Sequence, residues 1–239
     1  MKYKTSKAIY NLYQKQKVFF DSQTTLPNAF RIKKLKALQK ELGKREKDIY
    51  KALKNDLSKS GFESMASETV LVEKEIAKMI KMLPLWNRPH RTKSSLINFP
   101  SKDYILPEPY GKTLIISPWN YPIFLTLHPL TNAIAAGNTV IMKPSEHTPH
   151  TSAVMAELVA SIFDEEEAYV AQGGVEVAKE LLDTRFDHIF FTGSTAVGKI
   201  VMAAASKNLT SVTLELGGKS PTIIDNSANA YAAGQRVAW

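Results

Sequence analysis

Apolar residues recur at helical spacing through the first third of the chain, with lysines on the other faces. The clearest stripe consists of Ile32, Leu35, Leu38, Leu42, Ile49 and Leu53. Periodicity of this kind predicts helices over residues 5–21, 28–57 and 64–83, the last ended by Pro84. Prolines then mark an irregular link, and loose alternation over 94–110 predicts extended or edge-strand structure.

A different rhythm begins near residue 112, where short apolar runs alternate with stretches of helical periodicity. The runs predict strands at 113–117, 139–143, 168–172, 188–192 and 211–215. The helical stretches lie around 124–136, 150–162, 175–183 and 196–206. Apolar strands joined by crossover helices indicate an α/β protein with a parallel sheet covered on both faces. We therefore expect a Rossmann-like, doubly wound sheet after an N-terminal helical region, with ligands at the carboxyl ends of the strands.

Composition is that of an ordinary globular protein. The 239 residues are 44% hydrophobic, enough for one large domain or one domain with part of a second. No apolar run reaches 18 residues, and the N-terminus lacks the apolar region of a signal peptide. We therefore expect no membrane segment in this chain and a cytoplasmic location.

Charge and cysteine content bound the chemistry further. The net charge is +8, and residues 1–60 hold about sixteen Lys and Arg against about five Asp and Glu. Without interleaved aromatic residues or a nucleic-acid motif, this excess predicts a solvated helix face; nucleic-acid binding is a minor alternative that salt would weaken steeply. The absence of cysteine excludes disulfides, zinc-thiolate sites and a cysteine nucleophile within these residues.

Two strand ends carry polar groups with open interpretations. Asn120, between Trp119 and Tyr121, can donate its side-chain amide to a developing oxyanion, or it can cap the turn. Lys143 and Glu146 offer a cation and a carboxylate one short turn apart. They suit a ribose diol, and they equally suit a surface ion pair.

Two further strand ends combine glycines with polar groups. Gly193, Ser194 and Gly198 form a strand-to-helix turn that would admit a phosphate, although a tight turn without a ligand explains the pattern as well. The spacing is neither the standard dinucleotide fingerprint nor a Walker loop. Glu215 lies in an apolar strand before Gly217. Since an unpaired buried carboxylate is costly, we expect Glu215 to be paired, hydrated or functional.

Four phrases, PWNYP, AAGNTVIMKPSE, FTGSTAVGK and LELGGKSP, occur in an order that strongly resembles the NAD(P)-dependent aldehyde dehydrogenase superfamily. LTLHPL and RFDHIFFTGSTAVGKIVM resemble its class 3 branch, which includes fatty and aromatic aldehyde dehydrogenases. The resemblance covers essentially the whole chain. It implies N-terminal helices of the cofactor domain at 1–93, partial bridging and oligomerisation strands at 94–110, the NAD(P)-binding domain at 111–218, and the start of a truncated catalytic domain at 219–239.

The resemblance also implies roles for residues. Asn120 would stabilise the oxyanion of a thiohemiacetal, and Glu215 would be the general base for thioester hydrolysis. The residues implied at the cofactor are Trp119, Lys143, Glu146, Gly173, Gly193, Ser194, Val197, Gly198, Leu216 and Gly217. We expect NAD, with NADP possible, no metal, a medium-chain aliphatic or aromatic aldehyde as substrate, and a homodimer for the intact protein.

One departure from the family pattern concerns the nucleophile. The family places its cysteine a few tens of residues after the Glu-Leu-Gly-Gly segment, and this chain ends before such a residue. We therefore expect an N-terminal fragment that is inactive alone, belonging to an enzyme that oxidises aldehydes to carboxylic acids. The alternative is a stand-alone nucleotide-binding or interaction module without oxidoreductase activity. A thermal unfolding transition that shifts upward with NAD would favour this alternative.

Overall fold

A helical region opens residues 7–238, the part of the chain that the structure, a computed structural model, describes. Its helices are α1 (Lys7–Asp21), α2 (Asn28–Lys44), α3 (Glu46–Leu57), α4 (Gly61–Ser64) and α5 (Val70–Trp86). A π-helical turn, Met65–Thr69, joins the last two. The helical character of this region is confirmed, while residues 5 and 6 of the first predicted helix lie outside the described residues.

Two predicted helix boundaries are wrong. The stretch 28–57 is two helices, because Arg45 leaves helical geometry (φ −95°, ψ 10°) and the chain turns there. The third helix does not stop at Pro84 but continues to Trp86. A proline so close to the end removes only one intrahelical hydrogen bond, and the buried side chain of Leu83 keeps this turn packed on the core.

A short antiparallel hairpin follows. It pairs β1 (His90–Thr92) with β2 (Asp103–Ile105), and a 3₁₀ turn, Leu96–Asn98, lies between them. The extended structure predicted for 94–110 therefore holds only the second strand, and the first lies in the segment taken as an irregular link. Pairing with a partner strand, rather than local pattern, makes these three residues a strand.

A five-stranded parallel sheet forms the centre of the molecule. Its strands are β3 (Lys112–Ile116), β4 (Thr139–Lys143), β5 (Ala168–Val170), β6 (His188–Gly193) and β7 (Ser211–Leu216). The helices of this region are α6 (Phe124–Ala136), α7 (Pro149–Ala160), α8 (Val175–Leu182), α9 (Thr195–Ser206) and α10 (Ala230–Ala238). The order β5-β4-β3-β6-β7 reverses direction between β3 and β6, which is the topological switch point of a doubly wound fold.

Alternating strand residues build a separate core on each face of the sheet. Ile115 and Met142 pack with helices α2, α3, α5, α6 and α7, whereas Leu114 and Ile141 pack with α1, α8 and α9. Both faces are therefore covered, as the continuous apolar strands predicted.

Replacing Gly137 by alanine is expected to lower the free energy of unfolding by about 1–3 kcal/mol. Gly137 ends α6 at φ 92°, and an added Cβ would lie 2.7 Å from Nη2 of Arg31. Arg31 is buried and donates to the carbonyls of Thr25 and Ala135, so it cannot swing away. Gly43→Ala is the control: it is helical with open space at its Cβ position, and should raise stability by up to about 1 kcal/mol. Urea denaturation measures both, and an unchanged Gly137→Ala variant would contradict the prediction.

Candidate functional site

A cleft of about 660 Å³ lies at the carboxyl edge of the sheet, at the switch point between β3 and β6. The predicted site residues that line it are Trp119, Asn120, Gly193, Ser194, Glu215, Leu216 and Gly217. The structure thus brings together residues from the ends of three strands that lie up to about a hundred positions apart in sequence. One wall is apolar and comes from α6 and β6.

Asn120 lies in the loop that connects β3 to α6. It is exposed and lines the cleft. The start of the loop is tied to α6 because the Ser117 hydroxyl donates to the carbonyl of Leu125 at 3.0 Å. That carbonyl would otherwise lack its helical donor, because the residue four positions later is Pro129. The hydrogen bond therefore fixes the end of β3 against the helix beneath the loop.

Glu215 lies on the α6 side of the sheet. In the β6–β7 register it faces Thr192, and Phe190 lies two residues earlier on the same face. On this face no described helix packs against β7, since α9 packs on the opposite face, and Glu215 is exposed. No described residue forms an ion pair with Glu215, so the pairing considered for it is absent there, and its exposure leaves the carboxylate open to solvent.

The turn from β6 into α9 presents a helix N-terminus to the cleft. Ser194 is the N-cap, and its Oγ accepts from the N–H of Val197 at 3.3 Å. The first intrahelical bond runs from the N–H of Gly198 to the carbonyl of Ser194, so the N–H groups of Thr195 and Ala196 precede it. Such donors suit an anion.

Gly198 allows α9 and β7 to approach closely. A Cβ at this position would lie 2.8 Å from Cδ2 of Leu216. Gly217, by contrast, has open space at its Cβ position, so nothing in the described residues demands a glycine there for steric reasons.

Lys143 is the last residue of β4 and Glu146 follows it; both lie outside the cleft lining, on the other half of the same sheet edge. Lys143 Nζ is 2.7 Å from Glu146 Oε2, and Lys143 is 3% exposed. A purely surface ion pair is therefore wrong for the lysine, although the carboxylate is one-third exposed. Burial raises the pKa of Glu146, but the hydrogen bonds from Lys143 and its own backbone amide outweigh burial and hold that pKa below its ordinary value.

Gly173 lies farther along this edge, after β5, and does not line the cleft. Its φ is 135°, and a Cβ there would meet Val177 Cγ2 at 2.6 Å. The turn into α8 therefore requires glycine whether or not a ligand is present.

Sequence reasoning missed the apolar wall of the cleft. Phe124, Leu125 and His128 present one face of α6 to it. Burial lowers the pKa of His128, against the opposing charge of Glu75 at 3.7 Å, so the imidazole is neutral at pH 7. The four-residue spacing of Phe124 and His128 was the available signal, but periodicity alone does not separate a cleft wall from a core face.

Thr192 was also missed, although it lies within the FTGST phrase. Its Oγ1 is buried and has no hydrogen-bond partner among the described residues, while the residue lines the cleft. A buried hydroxyl without a partner is unfavourable, so this threonine is an energetic cost at the edge of the cleft.

Across residues 7–238, no three or more His, Cys, Asp or Glu side chains group so as to hold a metal ion. No helix in the same range is long and apolar enough to cross a membrane.

Comparison with known proteins places this geometry in context. The profile described as "Aldehyde dehydrogenase family" matches residues 1–239. The chain is 47% identical over 220 residues to "Aldehyde dehydrogenase family 3 member A2" of Pongo abelii, covering 92% of this chain and 45% of the relative. It is 46% identical to "4,4'-diaponeurosporen-aldehyde dehydrogenase" of Staphylococcus aureus (strain NCTC 8325 / PS 47), covering 93% and 49% respectively. The chain therefore spans about half the length of these curated relatives.

Solved structures give the same result. The substrate-bound state of Staphylococcus aureus AldH superimposes with a TM-score of 0.92 at 45% identity, over 96% of this chain and 50% of that one. Betaine aldehyde dehydrogenase of Staphylococcus aureus, in complex with NAD+, superimposes with a TM-score of 0.84 at 26% identity, over 94% and 45%.

Proposed function

The chain belongs to the aldehyde dehydrogenase family, and on that premise we propose that its residues take part in NAD(P)-dependent oxidation of an aldehyde to a carboxylic acid. One observation carries the proposal. A single cleft holds an amide donor on Asn120, an exposed carboxylate on Glu215 and the helix N-terminus at Ser194. An oxyanion donor, a general base and an anion-binding turn are three of the groups that this chemistry requires, beside the thiol.

The residues present fit a dinucleotide. The N–H groups at the start of α9 would take the pyrophosphate, beside Gly193 and Ser194. Lys143 and Glu146 would hold the adenosine ribose. When bound, NAD accepts the two electrons and the hydrogen that leave the substrate carbon.

Exposed apolar side chains fit the rings of the cofactor. Trp119 is 53% exposed, Val197 44% and Leu216 40%. Trp119 and Leu216 line the cleft, whereas Val197 lies at the start of α9 outside its lining. Apolar side chains left exposed beside a cleft are suited to packing against a flat ligand. In the proposed assignment Gly198 and Gly217 allow close backbone approach, and Gly173 shapes the far end of the same edge.

The chemistry at the substrate carbon would use Asn120 first and Glu215 second. A thiolate attacks the aldehyde carbon, and the side-chain amide of Asn120 donates to the oxygen that becomes negative. After oxidation, Glu215 takes a proton from water, the water attacks the thioester, and the acid and the thiol are released. No cysteine occurs among the 239 residues, so another part of the protein or another chain must supply the thiol.

The proposal extends to the class of substrate. The apolar wall of Phe124, Leu125 and Phe190 supports a medium-chain aliphatic or aromatic aldehyde. A homodimer and a cytoplasmic location stay predictions, and so do the domain assignments, including the bridging strands at 94–110.

The test of the proposed function is formation of NADH from NAD and an aliphatic or aromatic aldehyde by the complete protein that carries these residues. We expect formation to depend on both reactants. The 239-residue chain alone should form none, because it has no thiol. NADH formation by that chain would contradict the proposed route, and its absence from the complete protein would overturn the proposed function.

A second candidate, a nucleotide-binding module without oxidoreductase activity, is favoured by the fact that the α9 N-terminus and the Lys143–Glu146 pair are formed without any thiol. A thermal transition of the 239-residue chain that rises with NAD would support it. Aggregation without a transition would count against it.

Glu146→Gln is expected to weaken NAD binding about tenfold and to leave NADP binding nearly unchanged or improved. An ionised carboxylate accepts from a ribose hydroxyl but repels a 2′-phosphate, and the low pKa of Glu146 keeps it ionised through the neutral range. Calorimetric titration with each dinucleotide measures the change. Glu176→Gln, an exposed glutamate in α8, is the control. Equal loss for both dinucleotides would show that Glu146 does not face the ribose.

A further inference from the structure

A buried ion pair lies beneath the loop that carries Asn120. Lys59 Nζ is 2.6 Å from Glu68 Oε1, and the two side chains are 8% and 0% exposed. Burial raises the pKa of Glu68, and the hydrogen bond from Lys59 opposes that rise. A buried ion pair is weak evidence for stability, since apolar residues of the same size often serve as well. The role of this pair is therefore indicated by the groups that its two side chains contact.

The second oxygen of Glu68 holds the far end of the loop. Its Oε2 accepts from the backbone N–H groups of Ile123 at 2.9 Å and Phe124 at 3.0 Å. These donors are at the N-terminus of α6, where the N-cap residue, Ile123, provides no side-chain acceptor. Glu68 thus replaces the missing cap from a distant part of the chain, and its negative charge suits the helix dipole.

Lys59 holds the middle of the loop. Its Nζ donates to the backbone carbonyl of Asn120 at 2.9 Å, and it lies 4.1 Å from the centre of the Tyr121 ring. The ion pair therefore fixes the backbone of Asn120 on one side and the helix that follows it on the other. Among the described residues, none bonds to the Asn120 side-chain amide, which lines the cleft.

Glu68 reaches this position from the π-helical turn Met65–Thr69. Such turns are rare, are less favourable than α-helix, and occur frequently at functional sites. Thr69, next to Glu68, is also buried. The irregular turn and the buried charge thus meet at the same point beneath the cleft.

We propose that Lys59 and Glu68 are positioning residues that set the place of the Asn120 amide relative to the substrate oxygen. The inference rests on the proposed function, because Asn120 acts on an oxyanion only if the protein oxidises an aldehyde. A small displacement of such a donor is enough to reduce catalysis strongly. Neither Lys59 nor Glu68 lines the cleft.

The chain supplies a matched control in a second buried pair. Lys34 Nζ lies 2.5 Å from Glu167 Oε2, which also accepts from the backbone N–H of Asp164 at 3.0 Å. The Glu167 side chain is 6% exposed, and none of these residues lines the cleft that holds Asn120. Glu68→Gln and Glu167→Gln therefore each remove a carboxylate charge that pairs with a lysine and accepts from the backbone, although Lys34 is 17% exposed and Lys59 8%.

The experiment compares these two variants in the complete protein. Both should lower the thermal midpoint by similar amounts. Only Glu68→Gln should lower kcat for aldehyde oxidation, by about 10- to 100-fold, with the Kd for NAD changed less than about twofold. In an Asn120→Ala background Glu68→Gln should lower kcat by less than about twofold, because the two residues act as one unit. Additive losses, or an equal loss of kcat in Glu167→Gln, would overturn the proposal.

Hydrogen exchange provides a readout that does not depend on activity. Glu68→Gln should accelerate exchange at Ile123 and Phe124 by more than about tenfold beyond any global change, while Glu167→Gln should accelerate it at Asp164 instead. Unchanged exchange at Ile123 and Phe124 would overturn the proposal. If the unsubstituted protein oxidises no aldehyde, the proposed function fails, and exchange still decides whether the pair holds the loop. Lys59→Arg keeps the charge and should retain the protection of Ile123 and Phe124 from exchange. It takes the place of Glu68→Gln if that variant does not fold.

Discussion

Replacing Asn120 by alanine in the complete protein is expected to lower kcat for aldehyde oxidation about 10²–10³-fold. The side-chain amide lines the cleft at the end of β3, and the proposed reaction develops negative charge on the aldehyde oxygen there. Losing a preorganised donor affects the transition state more than the ground state, so KM should change little. The loss should appear in the first turnover, because the oxyanion forms before hydride transfer.

Rapid-mixing measurement of NADH in the first turnover checks this result. Asn120→Asp is the sharper variant, since it keeps the size and removes the donor. Asn208→Ala changes an exposed asparagine after α9, outside the cleft, and should leave kcat unchanged. A first-turnover rate in Asn120→Ala within about twofold of the unsubstituted protein would remove Asn120 from the proposed reaction.

Replacing Glu215 by glutamine is expected to lower steady-state turnover about 10²–10⁴-fold while leaving the first burst of NADH. The carboxylate is exposed and lies on the open face of β7, where it can reach a water molecule. Its proposed role follows oxidation, so the thioester should accumulate with one NADH formed per site. This pattern separates Glu215 from Asn120, whose loss slows the burst itself.

The amplitude of the burst, followed by the slow phase, is the measurement. Glu176→Gln again provides an exposed glutamate away from the cleft. Loss of both phases in Glu215→Gln, without loss of NAD binding, would mean that Glu215 acts before hydride transfer and not as the base for hydrolysis.

The sheet was predictable from the sequence because its strands read as short, largely apolar runs, and the central strands β3 and β4 are buried on both faces. All five parallel strands fall within a few residues of their predicted bounds. The ends of the helices were harder to predict. The turn at Arg45 and the continuation past Pro84 depend on how each helix packs against its neighbours, and local preference is a weak guide there.

The candidate site, too, was predictable from the sequence only in part. Asn120, Ser194 and Glu215 were predicted to share one edge because each lies at or just beyond the end of a strand, and parallel strands deliver their ends to one edge. Lys59 and Glu68 were not found, because they lie more than fifty residues before the loop they hold. On the sequence they read as a lysine and a glutamate among many in an amphipathic helical region. Only the tertiary fold makes them the partners of that loop.

The hydrogen bond from Ser117 to the carbonyl of Leu125 couples the effects of substitutions at Ser117 and Pro129. That carbonyl lacks a helical donor because of Pro129, so Ser117→Ala alone would strand a half-buried acceptor. Pro129→Ala returns an N–H to the helix and makes the serine dispensable. A lineage that loses the proline first can then lose the serine freely, whereas the opposite order passes through a weakened intermediate.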